Sequence, residues 1–119
     1  MKVLTLQITK DSFDEILSGR QKEESRNIYP TTFNRYFHPA SEEDEDLKFK
    51  EYDAILLING RKKDAPRLTV EVKGRRVVIL TDEKGEDIVY EENGEEYLAS
   101  RIFYKLGKII STENVTQPI

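Results

Sequence analysis

Leu17-Ser18-Gly19-Arg20-Gln21-Lys22-Glu23-Glu24-Ser25-Arg26 follows a short helical pattern and lacks the β-branched and aromatic residues a strand usually carries. Read as extended chain, it sets Lys22, Glu24 and Arg26 on one face and Glu23 and Ser25 on the other. A segment that breaks local propensity this plainly is where function or strain is expected. A carboxylate between two cations reads as a small-ligand clamp, in which Arg26 offers a planar donor fork. The competing reading is a structural Glu24–Arg26 pair that pins the strand.

Upstream, residues 3–8 alternate, with Leu4, Leu6 and Ile8 facing one way and Val3, Thr5 and Gln7 the other, as in a half-buried strand. Asp11 reads as an N-cap. Phe13, Ile16 and Leu17 then make a one-sided helix of about two turns, closed by Gly19 in the left-handed conformation. Downstream, Tyr29-Pro30 opens a second short helix carrying Phe33, Tyr36 and Phe37. Residues 41–48 form an acidic loop, and residues 52–59 read as a strand buried on both faces.

Asn59-Gly60 marks a turn before the basic loop Arg61-Lys62-Lys63. Leu68, Val70 and Val72 alternate with Thr69, Glu71 and Lys73 in a strand with one wet face. Residues 77–80 and 88–90 read as a hairpin around Asp82-Glu83-Lys84-Gly85. Asn93-Gly94 is a further tight turn, and residues 102–111 form the last strand, bent or bulged at Gly107. About six short strands with two early helices predict an α+β domain, a small and mostly antiparallel β-barrel.

The 119 residues suit one domain, 1–119, with a single modest core. Charged residues make up 35% of the chain, and Cys is absent, which excludes disulfides and thiolate chemistry. The longest apolar run, Ala54-Ile55-Leu56-Leu57-Ile58, is far too short to span a membrane. With no signal peptide ahead of the first strand, the expected location is cytoplasmic. Five acids lie in residues 42–46, so the remainder carries +1 against a total of −4. Cations gather at Arg20/Lys22/Arg26/Arg35, at Arg61/Lys62/Lys63/Arg67 and at Lys73/Arg75/Arg76. That distribution fits local phosphate binding and excludes the strongly basic stripe of a broad nucleic-acid binder.

Tyr29 and Tyr36, with polar tips, are candidates for stacking on a planar ligand, with Arg35 beside them. Phe33 and Phe37 read as core. Asn59, at the head of the basic loop, is a candidate contact on one lip of a cleft. The lone His38 reads as a surface or capping residue, and no His/Cys metal site or Ser-His-Asp triad is supported. Oxygens of the acidic loop could hold magnesium, but a solvated charge run is the plainer reading. No cofactor is expected.

Leu4-Thr5-Leu6-Gln7-Ile8, the helix ending in Leu17-Ser18-Gly19, and the Glu24-x-Arg26 pair resemble the ASCH domain family of the PUA-like superfamily, whose pattern is G-x-K-x-x-E-x-R. Gly19, Glu24 and Arg26 fall in register, while Gln21 stands at the lysine position and Lys22 one place later. Tyr52-Asp53-Ala54-Ile55 through Asn59-Gly60, Ala65-Pro66, Val70-Glu71-Val72-Lys73-Gly74 and Tyr104-Lys105-Leu106-Gly107-Lys108-Ile109 resemble the later strands of a phage- and bacterial-type branch.

The resemblance implies a PUA-like barrel and a cleft beside residues 19–26 that takes RNA or a modified nucleotide or nucleoside. With the candidates read above from the residues, the ligand contacts would be Gln21, Lys22, Glu24, Arg26, Tyr29, Arg35, Tyr36 and Asn59. It also implies an alternative, an amidohydrolase acting on acylated nucleosides such as N4-acetylcytidine. The acid–base pair would then be Lys22 and Glu24, with Glu71 a counterpart of the family glutamate. A third alternative is a protein-interaction module presenting the apolar residues 77–80 as a pairing edge.

Overall fold

The computed structural model describes residues 1–39 and 48–115. In chain order these form β1 (Val3–Gln7), α1 (Lys10–Leu17), β2 (Glu23–Ile28), α2 (Phe33–Tyr36), β3 (Ala54–Ile58), β4 (Arg67–Ile79), β5 (Val89–Glu92), β6 (Glu95–Leu98) and β7 (Ser100–Glu113). The acidic run at 42–46 lies outside the described residues.

The α+β composition predicted from the sequence holds at this level: strands dominate, with two short helices. The closed barrel does not form among the described residues. Five strands run in the order β1-β3-β4-β7-β2, so β1 and β2 are the two ends of an open ladder, and β5-β6 is a separate two-stranded sheet. Closing a barrel needs every strand paired on both edges. Here β1 pairs in parallel with β3 (Leu4 opposite Ile55), β3 pairs antiparallel with β4 (Ile55 opposite Val70), and no rung joins β1 to β2.

The chain divides into two compact units, one from Met1–Glu24, Glu51–Gly74 and the segment beginning at Tyr104, the other from Ser25–Lys50 and Arg75–Phe103. In the first unit the alternation of β1 buries Leu4 and Leu6, and β3 buries Ala54, Ile55 and Leu57. Phe13 and Ile16 of α1, Leu68 and Val70 of β4, and Tyr104 and Leu106 of β7 are also buried. Each buried Leu, Ile, Val or Phe side chain among them contributes about 1.5–3 kcal/mol.

The cap of α1 falls at Thr9, whose hydroxyl accepts from Ser12 N–H, two residues before the expected Asp11. Asp11 instead sits in the first turn, where its charge complements the helix dipole. Gly19 closes the helix at φ +81°, as its position predicted. Its side-chain space is open, so Gly19→Ala should cost about 1–2 kcal/mol through backbone strain alone, measured by urea denaturation.

In the second unit, Ile28, Tyr36, Phe37, Ala99 and Ile102 are buried. Arg101 of β7 ties down the polar strand β2. Its Nε donates to Ser25 Oγ at 2.9 Å and its Nη1 to Asn27 Oδ1 at 2.6 Å. Those bonds explain how a segment with so little apolar content becomes a strand. Residues 77–80 are not a separate hairpin strand; β4 runs unbroken for 13 residues through Lys73-Gly74-Arg75-Arg76. Two cation–π contacts support this charged stretch, Arg75 over Phe49 at 4.5 Å and Arg76 over Phe103 at 4.2 Å. Asn93 and Gly94, both at positive φ, make the tight turn between β5 and β6.

Candidate anion-binding groove

The outward face of β7 places Lys105 and Gly107 next to Lys73 and Glu71 of β4. A Cβ built at Gly107 would fall on the Glu71 carboxylate and 2.9 Å from Lys73 Cε. Without a Cβ at this position, the flexible ends of both side chains can lie over the β7 backbone. Together with the end of α1 and the turn after it, these strands enclose a groove of about 460 Å³ within the first unit. Ile16, Val70, Leu106 and Ile109 supply its apolar lining, and Gly19, Gln21 and Gly107 line it as well. Among the described residues, every charged side chain lining the groove is a lysine: Lys22, Lys73, Lys105 and Lys108. Four like charges along one groove create a positive field for which a multivalent anion is the complement, with the Glu71 carboxylate against Gly107 and the Glu24 carboxylate bonded to Gln21.

The residues expected from sequence fall in several places. Gln21 and Lys22 are together on the groove, and Lys22 is exposed. Glu24 is only 7% exposed, and Gln21 Nε2 donates both to its Oε2 at 3.1 Å and to the Glu23 carbonyl at 2.8 Å. The Gln21 amide thus serves to satisfy a buried carboxylate, which would otherwise be costly to desolvate. Glu24 is thus nearly buried behind Gln21, while Lys22 is exposed, and Glu71 of β4 is a further carboxylate beside the groove.

Arg26, Tyr29, Arg35 and Tyr36 belong to the second unit. Tyr36, expected as a stacking contact, is 2% exposed and is core. Burial raises its phenol above the usual range, against the opposing pull of the Arg26 and Arg35 guanidiniums. Arg26 is half-buried and Arg35 exposed. Tyr29 remains accessible and lines an apolar pocket with Phe33, Phe37 and Tyr97, its hydroxyl accepting from Asn27 Nδ2 at 3.1 Å. Asn59 braces its turn, donating from Nδ2 to the Ile8 carbonyl at 2.9 Å and from its backbone N–H to the Pro66 carbonyl. It is a structural residue. Arg61, Lys62 and Lys63 are an exposed turn, and Arg20 is engaged with Glu15 at 3.0 Å.

Sequence reasoning missed Lys105 and Lys108 and grouped Lys73 with Arg75 and Arg76. The available signal was Gly107, a glycine inside a strand between two lysines, which marks a place where something approaches the backbone closely. Among the described residues no group of three His, Asp or Glu side chains could hold a metal, and no helix is long and apolar enough to cross a membrane. No protein-family model, curated protein or solved structure matches this chain.

Proposed function

We propose that the chain is a divergent ASCH-type, PUA-like domain that binds RNA or a modified nucleotide through its phosphates in the lysine groove of the first unit. The observation that carries this reading is the lining itself, in which Lys22, Lys73, Lys105 and Lys108 are the only charged side chains among the described residues. Lysine ammoniums act as mobile point charges and position a phosphate backbone without reading sequence. The family reading draws support from the left-handed Gly19 that ends α1 and from the Glu24–Arg26 strand that follows it. The PUA-like architecture and a cytoplasmic site of action belong to the same proposal.

Binding should be modest and salt-dependent. With about three phosphates engaged, the slope of log K against log salt for a labelled oligouridylate should be near −2, since each phosphate on a single strand contributes about 0.7. Fluorescence anisotropy across 50–300 mM salt measures it, with Lys84→Ala, on an exposed turn, as the variant expected to leave the slope unchanged. A slope of zero would remove the phosphates from the reading.

A second reading has one observation behind it. Glu71 lies against Gly107, which lines the groove that also holds Lys22. A carboxylate able to draw a proton from water, beside ammoniums able to stabilise an oxyanion, is the equipment for hydrolysing an acyl amide. Incubation with N4-acetylcytidine and chromatography for cytidine tests it; release no faster than in buffer eliminates the hydrolase.

A further inference from the structure

We infer that the free edge of β7 at residues 108–113 is a docking site for an extended, acidic peptide segment of a partner protein, which adds to the sheet as a further strand. The edge follows from strand lengths. In the sheet β7 lies between β4 and β2, but it has 14 residues and β2 only six. The segment leading into β2 makes one rung, from Leu106 N–H to the Lys22 carbonyl at 2.9 Å. Beyond that rung no strand of the described residues lies on this side of β7.

Alternation then fixes which groups face outward. Burial of Ile102, Tyr104 and Leu106 shows a regular two-residue period along β7, and Gly107 keeps to it by facing Glu71 and Lys73. Since Leu106 N–H points to the β2 side, the N–H and C=O groups of Lys108, Ile110 and Thr112 point the same way, into the open edge. Those of Ile109 and Ser111 point to β4. All six residues 108–113 are exposed, including Ile109 at 37% and Ile110 at 44%.

The chemistry of this edge selects its occupant. Alternating donors and acceptors match another peptide backbone, whereas the outward carbonyls would repel phosphate oxygens. Exposed Ile109 and Ile110 add apolar contact on both faces of an added strand. Lys22, Lys73, Lys105 and Lys108 line the adjoining groove, so acidic side chains on the incoming segment complete the match. This surface goes beyond the proposed nucleotide site but shares Lys108 with it, so the two ligands should compete.

The test uses the 15N-labelled chain and two end-blocked hexapeptides, one alternating glutamate with valine and the other lysine with valine. The acidic peptide should bind at least tenfold more tightly than the basic one. It should slow amide exchange at Lys108, Ile110 and Thr112 at least tenfold, while Ile109 and Ser111 are already slow in the free chain. Ile110→Pro removes one outward donor without touching the ladder to β4, and should abolish peptide binding while leaving the melting temperature and oligouridylate affinity unchanged.

Equal affinity for the two peptides, or outward amides already protected in a monomeric chain, overturns the proposal. A dimer in sedimentation that Ile110→Pro dissociates would make a second copy the occupant and overturn it likewise. Oligouridylate slowing these amides where the acidic peptide does not would assign the edge to nucleic acid. Oligouridylate binding with no effect of peptide on them would leave the groove's function standing and defeat this inference alone.

Discussion

Replacing Lys105 and Lys108 together by glutamate should weaken oligouridylate binding at least a hundredfold at 100 mM salt. The two side chains line the groove with Lys22 and Lys73, and both are exposed. The double reversal turns four positive charges on that lining into two positive and two negative, so the field that attracts phosphate vanishes. A hundredfold loss corresponds to about 2.8 kcal/mol, or about 1.4 kcal/mol per reversed side chain, a modest demand for charges a few ångströms from a phosphate at a protein surface. Exposed substitutions of this kind change stability by about 0.5 kcal/mol or less, so an unaltered melting curve should accompany the lost binding. Glutamate at Lys84, in an exposed turn outside the groove lining, is the control for charge reversal at a surface lysine. Double-variant affinity within threefold of that control would show that the groove is not where phosphates bind.

That groove was only partly legible in the sequence, for a physical reason. Local pattern reports what a residue's neighbours in the chain dictate, and it did so well where the period was clean. Leu4 and Leu6 of β1, the paired Phe13 and Ile16 of α1, the left-handed Gly19 and the Asn93-Gly94 turn all stand where alternation, helical spacing and turn chemistry put them. The burial of Glu24 and of Tyr36 is decided by side-chain contacts that alternation and helical spacing do not specify. Gln21 satisfies the Glu24 carboxylate, and Tyr36 lies in a core that no local pattern announces.

The unbroken course of β4 through Arg75 and Arg76 depends on Phe49 and Phe103, 26 and 27 residues away in the chain, whose rings sit under the guanidiniums. Lys22, Lys73 and Lys105 come from three separate segments, so their convergence is a property of strand order and had no sequence signature beyond Gly107.

Ile55→Ala should be the most damaging single truncation in the first unit. Ile55 is 0% exposed at the middle of β3, opposite Leu4 of β1 on one edge and Val70 of β4 on the other, and both of those partners are themselves buried. A site enclosed by strands on both edges cannot collapse easily around a missing side chain, so the cavity cost adds to the lost transfer energy, about 3–4 kcal/mol together. Against a total stability of roughly 5–15 kcal/mol for a domain of this size, that is a large fraction. The melting temperature should fall by roughly 10–15 °C. Ile110→Ala, the same chemical change at a residue 44% exposed on the free edge of β7, should shift it by less than 2 °C, about 0.5 kcal/mol. The contrast separates burial from β-propensity, because both substitutions remove a β-branched residue from a strand. Thermal melts of the two variants followed by circular dichroism decide it: equal shifts would mean that β3 is not the centre of the first unit's core, and the platform that holds β4 and β7 at the groove would have to be sought elsewhere.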